Sequence, residues 1–413
     1  MNQKNIIIYS LVVVFILLLS SFIFFNFLNK SKEVNMIDLT DKKIEEALEF
    51  AKKNKLDLVI EKEYNDNVEY DRIISQNIEI GTVIKENDRL LVIVSLGKIS
   101  KDEYMKYNVN ELGRVPIMMY HGIHNLKNSE TGYTGGNIDS SGYQRTSEAF
   151  INDLEFYYEN GYRMIRLNDY INGIIDVQIG KSPIVLTFDD GLKNNINVTG
   201  LDDNGNIIID PNCAVGIMES FKTKYPDFNI TATFFLNGGL FEQPKYNDKI
   251  LKWLIDNGYD IGNHSYNHAN FVNIDSDQSQ LEIGKMYEKL ENIIPGKYVN
   301  IVALPFGSPY DKKHDNFSYI LNGKFNATNY QTEATLRVGW ESEFSPFSKN
   351  FDKTFLKRIR AYDNNGEEFD IEMNFKLLEK TRYISDGNKN KIVVRDENLN
   401  LLNEKIDLEI ISY

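Results

Sequence analysis

Ile184-Val185-Leu186-Thr187-Phe188-Asp189-Asp190-Gly191 is an apolar run that stops on two carboxylates and a glycine. Apolar residues without alternation suit a strand buried on both faces, as in a parallel sheet. In such sheets ligands and catalytic groups gather at strand C-termini, where loops vary without disturbing the core. Two adjacent carboxylates point in different directions, so one can hold a metal while the other moves protons. Alone, Asp-Asp-Gly is more often a solvated turn.

Elements of two kinds alternate on either side of this run. Val115–Tyr120, Ile230–Leu236 and Tyr259–Gly262 read as strands. Ser147–Asn160, Lys249–Asp256 and Gln278–Ile294 carry apolar residues at helical spacing and stop at Gly161, Asn257-Gly258 and Pro295-Gly296. Such alternation predicts an α/β fold with a mainly parallel sheet, open or closed as a barrel.

Two further clusters carry chemistry. His264-Ser265-Tyr266-Asn267-His268, if helical, places both imidazoles on one face, about 5–6 Å apart at Cβ. With Asp190 the pair supplies two nitrogens and one oxygen, which suits a catalytic Zn²⁺ site and also Fe²⁺. Leu304-Pro305-Phe306-Gly307-Ser308-Pro309 forces a turn after an apolar strand and can aim a backbone N–H at a substrate oxygen.

Together the three clusters resemble the NodB-type polysaccharide deacetylases, carbohydrate esterase family 4, over roughly 115–383. The resemblance implies a distorted (β/α) barrel of fewer than eight repeats. It makes Asp189 the catalytic base and Asp190, His264 and His268 the ligands of a divalent metal. Zn²⁺ comes first, with Co²⁺, Fe²⁺, Mn²⁺ and Ni²⁺ as alternatives. Pro305, Phe306 and Gly307 match the turn that lines the groove and offers an oxyanion donor. Two positions depart from the family. Its base-bracing Arg is replaced by Ala303, which leaves Arg358 and Arg360 as candidates for that task. No histidine follows His314 to serve as general acid, so His121 in Tyr120-His121-Gly122 takes that role. His124 and His314 read as surface residues. Asp202-Asp203-Asn204-Gly205-Asn206 resembles the start of a calcium loop, but Ile207 stands where that loop needs Gly, so an inserted hairpin turn is expected.

The implied activity is metal-dependent hydrolysis of acetamido groups on a wall polysaccharide, peptidoglycan N-acetylglucosamine or N-acetylmuramic acid. Two rivals remain. One is an inactive wall-binding protein with a deacetylase-like module. The other is a glycosidase using Asp189 and a second carboxylate, which leaves the His pair without a task.

Residues 34–98 form a separate compact stretch: a helix over Asp41–Asn54, then strands at Leu56–Ile60, Arg72–Gln76 and Arg89–Ser95. Glu45-Glu46-Ala47, Arg72-Ile73-Ile74-Ser75-Gln76, Gly81-Thr82-Val83 and Val94-Ser95-Leu96-Gly97 resemble the PASTA module of bacterial wall proteins. That resemblance implies peptidoglycan recognition, with a plain spacer as the alternative. A single copy binds weakly, since avidity needs linked sites. Residues 99–113 read as a linker, 114–385 as the deacetylase-like domain and 386–413 as a C-terminal extension with a small hairpin.

From Asn5 to Asn29 no residue is charged. At 1.5 Å per residue such a helix is roughly 37 Å long, enough for a hydrocarbon core of about 30 Å. The bulky exit Phe25-Asn26-Phe27-Leu28 lacks the small residues of a cleavage site. The expectation is a single-pass anchor at 5–29 with a cytoplasmic tail at 1–4 and the catalytic domain outside. Lys4 on one flank and Lys30 and Lys32 on the other nearly cancel the positive-inside bias. Orientation therefore rests on the wall substrate.

The 413 residues carry 46 Lys plus Arg against 60 Asp plus Glu, a net charge of −14. That balance excludes a nucleic-acid backbone as partner. One cysteine, Cys213, excludes an intramolecular disulfide framework and a Cys-rich zinc module. Nothing in the chain sets an oligomeric state.

Overall fold

Seven parallel strands run through the larger unit of the computed structural model, which describes residues 34–413. They are β1 (Ile117–Tyr120), β2 (Ser182–Phe188), β3 (Thr233–Leu236), β4 (Asp260–Asn263), β5 (Ile301–Ala303), β6 (Ala334–Leu336) and β7 (Ile359–Arg360). Their order is β6-β5-β4-β3-β2-β1-β7, and Tyr162–Met164 pairs with β2 off this path. Leu336 of β6 also bridges Leu356, in the segment that continues into β7, so the path returns to its start. This is the barrel-like parallel sheet expected from the alternation.

Successive residues of β2 face different clusters. Ile184, Leu186 and Phe188 pack outward with Tyr120, Phe234 and the surrounding helices. Val185 packs inward with Ile117, Phe235, Ile301 and Leu336. Both faces are dry, and this is why the strand reads as an apolar run broken only by Thr187. The two-residue period then turns Thr187 and Asp189 toward the interior.

Register brings the strand ends level. Phe188 pairs with Tyr120 on one side and Phe234 on the other, and Leu236 pairs with Asn263. The residues just beyond, His121, Asp189 and His264, therefore emerge at one rim. Asp189 N–H donates to Tyr120 C=O and His264 N–H to Leu236 C=O.

The expected helices are present as Ser147–Glu159, Asn247–Asp256 and Ser276–Ile293. The expected insertion is an antiparallel pair, Val198–Leu201 with Ile207–Ile209. The Asp202 carboxylate accepts from the Asn204 and Asn206 backbone, closing the turn on itself.

The expected linker, 99–113, contains helix Lys101–Tyr107. Beyond it Glu111 is buried, its carboxylate accepting from Tyr383 Oη and from the Asp386 and Val393 N–H groups. The expected C-terminal hairpin is instead a parallel pair, Lys391–Val394 with Glu409–Ser412. Parallel pairing needs a crossover, which local alternation does not reveal.

The smaller unit has helix Ile44–Asn54 and a three-stranded sheet. Its central strand, Arg89–Ser95, pairs parallel with Asp57–Glu63 and antiparallel with Ile73–Gln76. Ile44 and Ala47 on the helix meet Leu90, Val92 and Val94 of that strand. The expected anchor and tail, 5–29 and 1–4, lie outside the described residues. Among the described residues no helix is long and apolar enough to cross a membrane.

Candidate active site

At the rim, Asp190 Oδ1 lies 3.3 Å from His264 Nε2 and 3.2 Å from His268 Nε2. Three ligands on a tetrahedral Zn²⁺ with bonds of about 2.0–2.2 Å stand roughly 3.4 Å apart, so this set fits a divalent metal. His264 is buried, whereas Asp190 and His268 are partly exposed, leaving one side open. The His264 Nδ1 lies 2.8 Å from the Ala303 carbonyl, which fixes Nε2 as the free ligand atom.

The His pair does not converge by helical spacing, as first expected. His264 follows β4, and the chain then reverses through Ser265 (φ 60°) and His268 (φ 56°). Asp190 (φ 73°) and Phe306 (φ 59°) share this left-handed conformation. Non-glycine residues in that region are strained, and here they converge on the ligand set. Gly191 is required by packing, since a Cβ there would stand 2.3 Å from the Leu240 carbonyl.

Asp189 is buried and held by Arg358. Nη1 donates to Oδ1 at 2.8 Å and Nη2 to Oδ2 at 2.7 Å. The same guanidinium donates to Thr187 Oγ1 and, through Nε, to the Arg337 carbonyl. Burial works against the Asp189 charge, but Arg358 and His264 outweigh it and hold the carboxyl well below the usual range. Arg358 thus occupies the bracing geometry for which Ala303 has no side chain. Arg360 does not reach Asp189.

His121 follows β1 at the same rim. Its Nδ1 is buried without a hydrogen-bond partner, and its ring stands edge-on to Tyr143, centroids 4.9 Å apart. Burial lowers its pKa, against the pull of Asp189 and Asp190. Tyr143 lies in a loop 22 residues beyond His121, so no local pattern links the two. His124 bonds Gln144 and His314 caps helix Asp315–Leu321, so neither joins the site.

In the turn after β5, Pro305 and Gly307 are buried and the Phe306 ring is exposed beside His268, 4.7 Å between centroids. Gly307 N–H donates to the Leu304 carbonyl and Pro305 has no N–H, which leaves Phe306 as the backbone donor.

Residues 176–319 match the polysaccharide deacetylase family, and residues 34–96 match the PASTA domain. The chain carries a polysaccharide deacetylase domain. The match takes in Asp189, Asp190, His264, His268 and the Pro305–Gly307 turn, while His121 and Arg358 fall outside it. A peptidoglycan-N-acetylglucosamine deacetylase of Bacillus cereus is 28% identical over 127 residues, 31% of this chain and 37% of the relative. The chain therefore matches little more than a third of that relative's length. Among solved structures, a Streptococcus pyogenes deacetylase, PplD, in complex with acetate is 17% identical, covering 64% of this chain and 98% of its own, TM-score 0.45. The extracellular region of the Ser/Thr kinase PrkC from Staphylococcus aureus is 26% identical over 17% of this chain and 25% of its own, TM-score 0.16. The deacetylase domain places its metal-type ligands and its buried carboxylate within one rim.

Proposed function

We propose that this protein is a metal-dependent N-deacetylase acting on acetamido groups of cell-wall peptidoglycan, N-acetylglucosamine or N-acetylmuramic acid, outside the membrane. The observation that carries this is the convergence of Asp190, His264 and His268 beside a carboxylate, Asp189, held ionised by Arg358. Asp190, His264 and His268 would hold the metal, Zn²⁺ before Co²⁺, Fe²⁺, Mn²⁺ or Ni²⁺, and a bound metal supplies carbonyl polarisation and a more acidic water. Asp189 takes a proton from the attacking water; each of its oxygens keeps a lone pair beyond those given to Arg358. Phe306 N–H faces the developing oxyanion. His121 protonates the departing amine, and burial makes its imidazolium a readier donor. The rival reading of an inactive module draws on Ala303 and on the absent late histidine; the Arg358–Asp189 pair speaks against the first ground.

The test is acetate release from purified wall and from chitooligosaccharide, with and without chelator. Acetate that appears with metal and vanishes on chelation supports the proposal. No acetate from any N-acetylated glycan with metal supplied would overturn it.

Two further outcomes are expected. His121→Ala keeps its metal and loses about 10²–10⁴ in turnover, the usual worth of a positioned acid. Near-normal turnover or lost metal would refute that role. The uncharged 5–29 stretch and the proposed wall substrate support a chain whose bulk lies outside, and protease added to protoplasts is then expected to digest everything beyond Lys30. Full protection would reverse the orientation.

A further inference from the structure

Arg360 lies in β7, two residues after Arg358, and the structure gives it a setting unlike that of Arg358. Arg360 pairs with Met119 of β1, one residue below Tyr120 and two below His121. Arg358 reaches inward to Asp189. The two-residue period of a strand puts Arg360 on the same face, about 6–7 Å nearer the mouth. Its guanidinium carbon lies 4.9 Å from the Tyr143 ring centre, 4.6 Å from Tyr362 and 5.8 Å from Trp340. Tyr143 is the ring that stands against His121. The cation is therefore one aromatic ring away from the candidate acid.

The three rings shield part of the guanidinium from water, and its Nε is buried. Arg360 makes no side-chain hydrogen bond or ion pair among the described residues, and its Nε is buried without a partner. Elsewhere in the same domain, buried arginines have carboxylates: Arg145 holds Asp153, and Arg358 holds Asp189. Arg360 is half-buried, so a cation without a partner among the described residues stays open to an anion at the mouth, in a chain of charge −14. Trp340 is 42% exposed there and offers a flat face beside the cation.

We propose that Arg360 determines substrate specificity by pairing with a carboxylate carried on the sugar, so that the site prefers acid-bearing N-acetylhexosamines over neutral ones. This rests on the deacetylase reading above. Within peptidoglycan the carboxylate comes from muramic acid itself once its peptide is removed, or from the attached peptide. Arg360 is a positioning group here, since it holds the substituent and touches none of the reacting atoms.

The test compares the metal-loaded full chain with Arg360→Gln and Arg360→Lys on three glycans. These are peptide-free wall glycan with free carboxylates, the same glycan with its carboxylates amidated, and glycan still bearing peptides. The expected result is a kcat/KM for the free-carboxylate glycan about 10–100-fold above the amidated one, expressed in KM, the worth of a charge-assisted bidentate pair. In Arg360→Gln that ratio falls to near one, and Arg360→Lys keeps part of it. Preference for the peptide-bearing glycan instead assigns the carboxylate to the peptide. A wild-type ratio near one, or equal losses on all three glycans in Arg360→Gln with lowered thermal stability, overturns the proposal. Equilibrium binding of the three glycans to Asp189→Asn protein gives the same comparison without turnover. If no glycan yields acetate yet binding still favours carboxylates through Arg360, the activity reading fails alone. If binding shows no such preference, this inference fails too.

Discussion

Asp190→Ala, His264→Ala and His268→Ala are each expected to lose most bound metal and with it essentially all turnover. The three ligand atoms lie within 4.8 Å of one another, so removing one leaves two ligands, too few to hold a catalytic ion against water. His264 should be the most damaging, because it is buried and its ring is already fixed by Ala303. Metal analysis of purified protein checks this, and the fold should survive in each variant since the outer core contains none of these residues. Stoichiometric metal in all three would remove the proposed site.

The second large effect concerns the Asp189–Arg358 pair. Asp189→Asn should keep its metal and lose about 10²–10⁴ in turnover, because it removes a base and leaves the ligands. Arg358→Met should act on stability as well. Both partners are almost fully buried, and breaking a buried pair from one side strands a charge, at a cost of about 3–5 kcal/mol. The double variant Asp189→Asn/Arg358→Met should recover part of that stability while remaining inactive, since no charge is then left unanswered. Denaturant unfolding with parallel acetate assays separates the two effects. An Asp189→Asn protein of full activity would end the assignment of the base, and an Arg358→Met protein of unchanged stability would show that water reaches Asp189.

Strand and helix existence was legible wherever the residue pattern had a single physical explanation. The run Ile184–Phe188 is apolar except for Thr187 because both faces are buried. The Pro305-Phe306-Gly307 turn was legible for a similar reason, since proline and glycine restrict the chain locally. Within the expected linker, Lys, Asp and Glu in 101–106 hide a helix, and the partners of Glu111 lie more than 270 residues away. The C-terminal strands were misread as a hairpin because alternation carries no direction.

By itself the sequence determined the parallel α/β alternation, the smaller N-terminal unit and the residue types able to bind a metal. Those are properties of local pattern: period, turn chemistry and donor atoms. Only the tertiary structure decided which groups meet. Registry of β1, β2 and β4 set His121, Asp189 and His264 at one rim, and left-handed residues at 190, 265 and 268 aimed the ligands at a common point. Closure of the sheet through β7 chose Arg358 over Arg360 as the partner of Asp189 and left Arg360 nearer the mouth among three rings. Two arginines two residues apart are chemically equal in the chain. Their depth in the barrel, about one strand repeat, is what separates their tasks.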